Sequence, residues 1–384
     1  MTPSLPDGSL HDLFERVEAA NAEHDEAYPG DPGGRQPVHT VYVPADRFGP
    51  TTAREYGDEG LRLLAEHAPS AESFARAMGM AGGGAFAATV RERVVAKLRR
   101  EPIEDLRIDF EDGYGERPDD EEDRDAGSAA MAVARSRQAG TAPPFVGVRV
   151  KSFADGRHRR SLRTLDVFLT AVLAATGGAL PDGFLVTYPK VLMPEHVAAF
   201  ADALGLLERA LGVADHALRF EVQVETPESI VDHRGRVALR PILAASDGRL
   251  AGAHFGVYDY TAALGLPPAE QRIDHPACDF ARHVMQVTLA GTGVRLSDGS
   301  TNEVPASDDP GEVHRVWALH AGLVRRSLAH GFFQGWDLHP SHLPSRFAAV
   351  YGFLLDGLGA AMGRVRAWNE GSATANGVLD EPAT

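Results

Sequence analysis

FVGVRVK (145–151), FLVTYPK (184–190) and LRFEVQVE (218–225) are three short runs rich in β-branched and aromatic residues, and PEHVAAFADALGLLERAL (194–211) lies between the last two. Each run has the length and composition of a strand, and the intervening stretch carries apolar residues at helical spacing. The same rhythm extends in both directions: VHTVYVP (38–44), LRIDFED (106–112), LAGAHFGVYD (250–259), TGVRLSD (292–298) and FFQGWDLHP (332–340) bring the strands to eight. Helical patterns such as CDFARHVMQVTLA (278–290) and GEVHRVWALHAGLVRRSLA (311–329) fill the gaps. Strict alternation of strand and helix implies a parallel sheet with right-handed crossovers. Eight units favour closure into an α/β (β/α)8 TIM barrel over an open doubly wound sheet.

The long gap between the first two strands predicts two or three extra N-terminal helices, one of them around Arg91 to Arg99. The expected organisation is an irregular lead-in over 1–36, a catalytic barrel over 37–360, and a C-terminal extension and tail over 361–384. Pro and Gly cluster in the lead-in from Tyr28 to Gly34. A dinucleotide fold is the obvious competitor, but the glycine run Gly82-Gly83-Gly84 follows no strand and has no Gly-Lys-Ser/Thr after it. It reads as a helix–helix connector, against an anion-binding loop. The acidic stretch Asp119 to Asp123 reads as a solvated helix start, where carboxylates complement the helix dipole.

Composition narrows the function. The 384 residues are 43% hydrophobic and 24% charged, values that allow a sizeable core and exclude wholesale disorder. With 38 Lys and Arg against 54 Asp and Glu, the formal charge of −16 argues against nucleic acid or an anionic membrane surface as partner. Cys278 is the single cysteine, so an internal disulfide and two-cysteine metal motifs are impossible. No run of apolar residues is long enough to span a membrane, no signal peptide is visible, and a cytoplasmic location is expected. Lysine is scarce: only Lys97, Lys151 and Lys190 interrupt an otherwise all-arginine set of cations.

A barrel of this kind keeps its active site at the C-terminal ends of its strands. Reading those ends collects Asp109, Glu111 and Asp112, Arg149 and Lys151, Lys190, Gln223 and Glu225, Asp259, Asp298 and His339. Carboxylates outnumber cations there, and unpaired carboxylates converging in a cleft need a cation or a raised pKa. A hard divalent ion, Mg2+ or alternatively Mn2+, answers that need with one or two protein carboxylates. Glu225 and Asp259 end adjacent strands and are the candidate pair. The competing readings are an ion pair of Glu225 with Arg272 or Arg295, and a capping role for Asp259 through Thr261 or Ala262. Lys190 reads as an active-site residue, against a structural pair with Glu111 or Asp112; His339 and His342 read as structural hydrogen-bonding groups.

Seven motifs in collinear order now carry a resemblance: VYVPADR (41–47), IDFEDG (108–113), VRVK (148–151), YPKV (188–191), VQVET (222–226), FGVYDYTAALGL (255–266) and GFFQGWDLHPSHL (331–343). Together they resemble the aldolase/citrate-lyase β-subunit superfamily, the HpcH/HpaI type, whose relatives include malyl-CoA lyase and malate synthase. The resemblance implies that Glu225 and Asp259 ligate Mg2+ and that Arg149 binds the substrate carboxylate and stabilises an enolate oxygen. It further implies a homo-oligomer, trimer or hexamer, acting on a small-molecule carboxylate or an acyl-CoA. Lys151 stands where the family carries Asn, Asp112 where the pyruvate-aldolase branch carries His, and Gly335-Trp336 in place of a Gly-Lys pair.

The function expected is a metal-dependent carbon–carbon lyase or aldolase working through an enolate. Arg149, Asp112 and Lys190 are its candidate catalytic residues, and Arg149, Lys151, Asp109 and Gln223 its candidate substrate contacts. Two alternatives stay open: a Schiff-base aldolase using Lys190 or Lys151, and a barrel that binds a carboxylate without turnover.

Overall fold

All eight runs form strands in the structure, a computed structural model that describes residues 5, 8, 10–81, 84–154, 156–370, 374–375 and 378–379. They are β1 (His39–Pro44), β2 (Asp105–Asp109), β3 (Phe145–Arg149), β4 (Leu185–Tyr188), β5 (Arg219–Val224), β6 (Leu250–Phe255), β7 (Arg295–Ser297) and β8 (Gly335–Asp337). Each strand pairs in parallel with the next, and β1 pairs with β8. A parallel bridge between Ser297 and Gln334 joins β7 to β8, so the sheet closes into the expected barrel.

Several strands end earlier than the sequence predicts. Strand β2 stops at Asp109 because that carboxylate accepts the Glu111 and Gly113 amides at 2.9 and 2.8 Å, turning the chain. Strand β6 stops at Phe255, and Asp259 falls in the helix Val257–Ala263 rather than on the strand. The Thr261 hydroxyl donates to the Val257 carbonyl at 2.7 Å and closes that turn.

Three helices, Thr52–His67, Ala71–Ala77 and Gly84–Arg100, occupy the gap between β1 and β2. Gly82 and Gly83, on which the connector reading rests, lie outside the described residues. The lead-in begins with an exposed helix, His11–Ala27, that buries none of its residues. The last long helix, His342–Asn369, runs without a break past position 360. No described helix is long and apolar enough to cross a membrane.

The acidic stretch departs from its sequence reading at one residue. Asp119, Asp120 and Glu121 open the helix Asp119–Gln138 as expected, but Glu122 is fully buried, where it accepts from Lys151 Nζ at 2.8 Å and from the Thr164 hydroxyl.

Side chains alternate along each strand, so two layers of different chemistry result. Val41, Val43, Leu106, Ile108, Val146, Val148, Phe220, Val222 and Phe255 point outward and pack with the helices into the apolar core. The opposite face lines the barrel interior, and it is polar. Arg107 crosses from β2 to Glu221 on β5 at 2.9 Å and also pairs with Asp105; His254 on β6 meets the other Glu221 oxygen at 2.8 Å. Trp336 donates to His254 at 2.9 Å from β8. Gly147 leaves the space that Arg107 uses: a methyl group there would press on the Leu185 carbonyl and on the Arg107 stem. Gly147→Ala is therefore expected to cost about 1–3 kcal/mol through overpacking, read as a lower urea midpoint with an unchanged slope.

Candidate active site at the barrel mouth

The C-terminal ends of the strands open into a cavity of about 690 Å³ lined by Tyr42, Arg47, Asp109, Asp112, Arg149, Glu225, Asp259, Trp336 and His339 among others. Arg149 ends β3, is 6% exposed, and is gripped from one side. Its Nε and Nη2 donate to the two oxygens of Asp109 at 2.7 and 2.6 Å. The Tyr42 ring lies 4.8 Å beneath the guanidinium. Burial opposes the charge on Arg149, but Asp109 outweighs it and raises the pKa well above the usual value. The fork is thus already occupied. What remains is Nη1, 3.3 Å from a Glu111 oxygen and 3.5 Å from the Gln223 carbonyl oxygen.

Glu225 follows β5 and is 3% exposed. One oxygen accepts the Lys190 backbone amide at 2.7 Å, and the other lies against Gly256, where any Cβ would collide with the Glu225 side chain. Burial first, then the nearby charges of Asp259 and Glu111, push the Glu225 carboxyl up to about 8. Neither alternative partner reaches it: Arg272 pairs with Glu270 and Asp274, and Arg295 belongs to the opposite end of the barrel. Asp259 enters the same space from the first turn of its helix, 3.7 Å from Lys190 Nζ, and no side-chain cap from it is present.

Lys190 binds this acidic cluster together. Its ammonium contacts Glu111 and lies 2.8 and 2.9 Å from the Asp112 oxygens. Its pKa is raised, because Glu111 and Glu225 more than offset the desolvation of the ammonium. Asp112 shifts down: burial works against its charge, and the Lys190 hydrogen bond overcomes that. Glu111, more deeply buried, shifts up despite Arg149 and Lys190. Five carboxylates (Asp109, Glu111, Asp112, Glu225 and Asp259) thus share two internal cations, Arg149 and Lys190.

Residues 17–384 match a single family along almost the whole chain. The chain belongs to the family described as a domain of unknown function, DUF6986. Among curated proteins, comparison by sequence finds no match. Solved structures with the same architecture include a citrate lyase from Burkholderia xenovorans LB400, at 18% identity over 91% of this chain and 98% of that one, with a TM-score of 0.53. The malate synthase of Haloferax volcanii matches at 15% identity over 89% and 87% of the two chains, also with a TM-score of 0.53. Its complex with magnesium and glyoxylate matches at 14% over 87% and 93%, with a TM-score of 0.51. At these identities the likeness shows the fold, and these neighbours are the enzymes whose group the seven motifs resemble.

Within the DUF6986 chain the structure does not gather every residue the sequence singled out. Lys151 is turned away from the cavity, 4% exposed, donating to the Phe110 carbonyl at 2.7 Å and to Glu122. Gln223 lies below the cavity, with its amide nitrogen buried and unpartnered. Asp298 is consumed by Arg282, Ser327 and its own neighbour Gly299. His342 is structural, held by the Glu303 carbonyl at 2.9 Å, whereas His339 reaches the cavity wall.

Arg47 and Tyr42 line the cavity without having been singled out, and Trp336, noted only as a departure from the resembled motif, lines it with them. Arg47 has no carboxylate partner among the described residues. Its signal was present, since VYVPADR ends in a cation as the other runs end in charge.

Lys151, turned away from the cavity, and Lys190, within the acidic cluster, should respond differently to loss of charge. Lys151→Met leaves the fully buried Glu122 with only Arg160 at 3.4 Å and the Thr164 hydroxyl among the described residues, and is expected to cost about 3–5 kcal/mol. Lys190→Met removes the cation from the buried Glu111 while leaving Asp112 near solvent, and is expected to cost less, about 1–3 kcal/mol. Equal losses in chemical unfolding would contradict this ordering.

Proposed function

We propose that this protein is a divalent-metal-dependent enzyme that makes or breaks a carbon–carbon bond next to a carbonyl, acting on a small 2-oxo or hydroxy acid or its CoA thioester. The observation that carries the reading is the geometry at Glu225: a buried carboxyl with Asp259 and Glu111 close by, raised to about 8 by burial first and then by those two charges. A site that concentrates carboxylate repulsion at one point is suited to a hard cation. Glu225 and Asp259 would hold it, Mg2+ or Mn2+ by the all-oxygen donor set. When bound, such an ion supplies Lewis acidity to a substrate carbonyl.

Among the described residues, His320, Asp337 and His342 bring three possible donors within 4.8 Å of one another, but they fit an ion poorly. Arg346 donates to both Asp337 oxygens at 2.9 to 3.1 Å and already balances that charge.

The remaining steps follow from side chains of the chain itself. Arg149, locked by Asp109, is a fixed positive group that would stabilise negative charge developing beside the carbonyl, without reorganising during reaction. Asp112, held ionised by Lys190, is the carboxylate placed to accept a proton at the cavity wall. Arg47, unpaired at the rim, is suited to the carboxylate or phosphate of the substrate. The magnesium, glyoxylate and acetyl-CoA complexes named for the Haloferax malate synthase support the same substrate classes here. A Schiff-base mechanism is less well supported. It needs a lysine with a depressed pKa, whereas Lys190 shifts upward and Lys151 is buried against Glu122.

Glu225→Gln and Asp259→Asn should fold normally and lose Mg2+ or Mn2+ binding in calorimetry; parental binding by both would remove the metal assignment. In an assay of oxo acids and acyl-CoA esters read by mass spectrometry, turnover should vanish on metal stripping and return on adding Mg2+. Arg149→Lys keeps the charge but not the fork that Asp109 holds, and should lower kcat by about 10²–10³. A rise in KM with unchanged kcat would instead make Arg149 a ground-state clamp.

A further inference from the structure

The opposite end of the barrel carries a second cavity. It measures about 460 Å³, within the range of small-ligand sites. Its walls are Phe145 and Leu185 from the starts of β3 and β4, Phe184, Ala217 and Ala251, and part of its roof is the lead-in at Pro32 and Gly33. Its polar side chains are two arginines, Arg219 and Arg295, the first residues of β5 and β7.

These guanidiniums stand together without an acid. The chain has sixteen more acidic than basic side chains, and about half of its arginines are ion-paired. Among the described residues no carboxylate pairs with Arg219 or Arg295, and none lines this cavity. The acids next to the lining residues Pro32, Pro181 and Gly183 do not reach the arginines: Asp31 accepts the Gly33 amide at 2.8 Å, and the exposed Asp182 lies 3.4 Å from Arg137. Arg295 uses two of its N–H groups on the carbonyls of Arg35 and Gly33, at 2.6 and 2.7 Å. The rest of its fork is uncommitted, and Arg219 has no hydrogen-bond partner among the described residues. Arg219 is exposed at the cavity edge; desolvation and then the charge of Arg295 lower its pKa, and an anion between the two would offset their repulsion.

We propose that this floor cavity binds a small organic anion, a carboxylate or phosphate monoester with a flat or aliphatic body, with the acid group between Arg219 and Arg295 and the body against Phe145 and Phe184. Two guanidiniums supply the charge-assisted bonds, and the apolar walls exclude inorganic anions as the best occupants. The site is independent of the mouth chemistry, because the mouth residues line the other cavity. An occupant would also tie down the lead-in, since Arg295 already holds its carbonyls.

Benzoate, phenyl phosphate, inorganic phosphate and neutral benzamide would be titrated into the full chain by calorimetry, with amide hydrogen exchange read over residues 30–36. Benzoate or phenyl phosphate should bind saturably and slow exchange in that segment. Benzamide should bind at least about tenfold more weakly, a loss of roughly 1.4 kcal/mol. Arg219→Gln should weaken the acid by a similar factor, and Arg219→Lys should fall between, having the charge without the fork. Glu225→Gln at the mouth should leave binding unchanged. Equal affinity for benzamide, full affinity in both Arg219 variants, or no saturable binding by either acid overturns the proposal. Protection at the mouth in place of residues 30–36 overturns it too, as does inorganic phosphate binding better than phenyl phosphate.

Discussion

The bond from Arg107 on β2 to Glu221 on β5 spans the inside of the barrel, and the polar interior is organised around it. A guanidinium and a carboxylate removed from water are stable only when most of their hydrogen-bonding capacity is met. Here Thr187 bonds to both groups, Asp105 takes a second guanidinium nitrogen, and His254 takes the other Glu221 oxygen. Thr40 then supports Asp105, and Gln334 supports Thr40, so five strands and the residue before β8 contribute to one connected network. This places a rigid polar plug beneath the mouth. The Tyr42 ring lies against Trp336 at 4.9 Å in the layer above it, and Arg149 rests on Tyr42.

Charge is also graded along the barrel axis. Two arginines without a carboxylate partner among the described residues stand at the floor, paired groups fill the middle, and carboxylates dominate the mouth. A negative mouth is a poor receptor for an anionic substrate unless a cation intervenes. That physical conflict, rather than any single residue, is what the proposed divalent ion would resolve. The same gradient makes the floor the end suited to anions.

The strands and their charged ends were legible in the sequence because both follow from local pattern: β-branched runs for the strands, and polar residues where each run meets a turn. The polar interior was not. DLRID and RFEVQV alternate charged and apolar residues, and a sheet with one face in water gives the same alternation. Only barrel closure turns that solvent-like face inward. The same limit applies to Lys151. Its position two residues after Arg149 placed it at the strand end, but β3 stops at Arg149 and the chain then delivers the ammonium to Glu122 on a neighbouring helix. Arg47 escaped for the opposite reason, lying just past its strand in a short turn (Ala45–Arg47).

The scarcity of lysine acquires a physical meaning in the folded chain. Lys97 contacts Glu101 and Glu104, Lys151 contacts Glu122 and the Phe110 carbonyl, and Lys190 contacts Glu111 and Asp112. In each case acceptors converge on one point within a largely buried space. A compact ammonium with three donors suits such a point, whereas the planar guanidinium fork suits two parallel acceptors, as Arg149 does with Asp109. Arginine serves elsewhere in this chain, so these three positions are where its geometry is least suitable. Lys190 adds a further constraint. Its φ is +50°, a left-handed conformation that a glycine would adopt more easily. Glycine would lose the ammonium that links Glu111 to Asp112, while the turned backbone is what aims the Lys190 amide at Glu225. One strained residue therefore fixes both the buried carboxylate and its acidic neighbours, and that strain is stored where the proposed chemistry needs the carboxylates held in place.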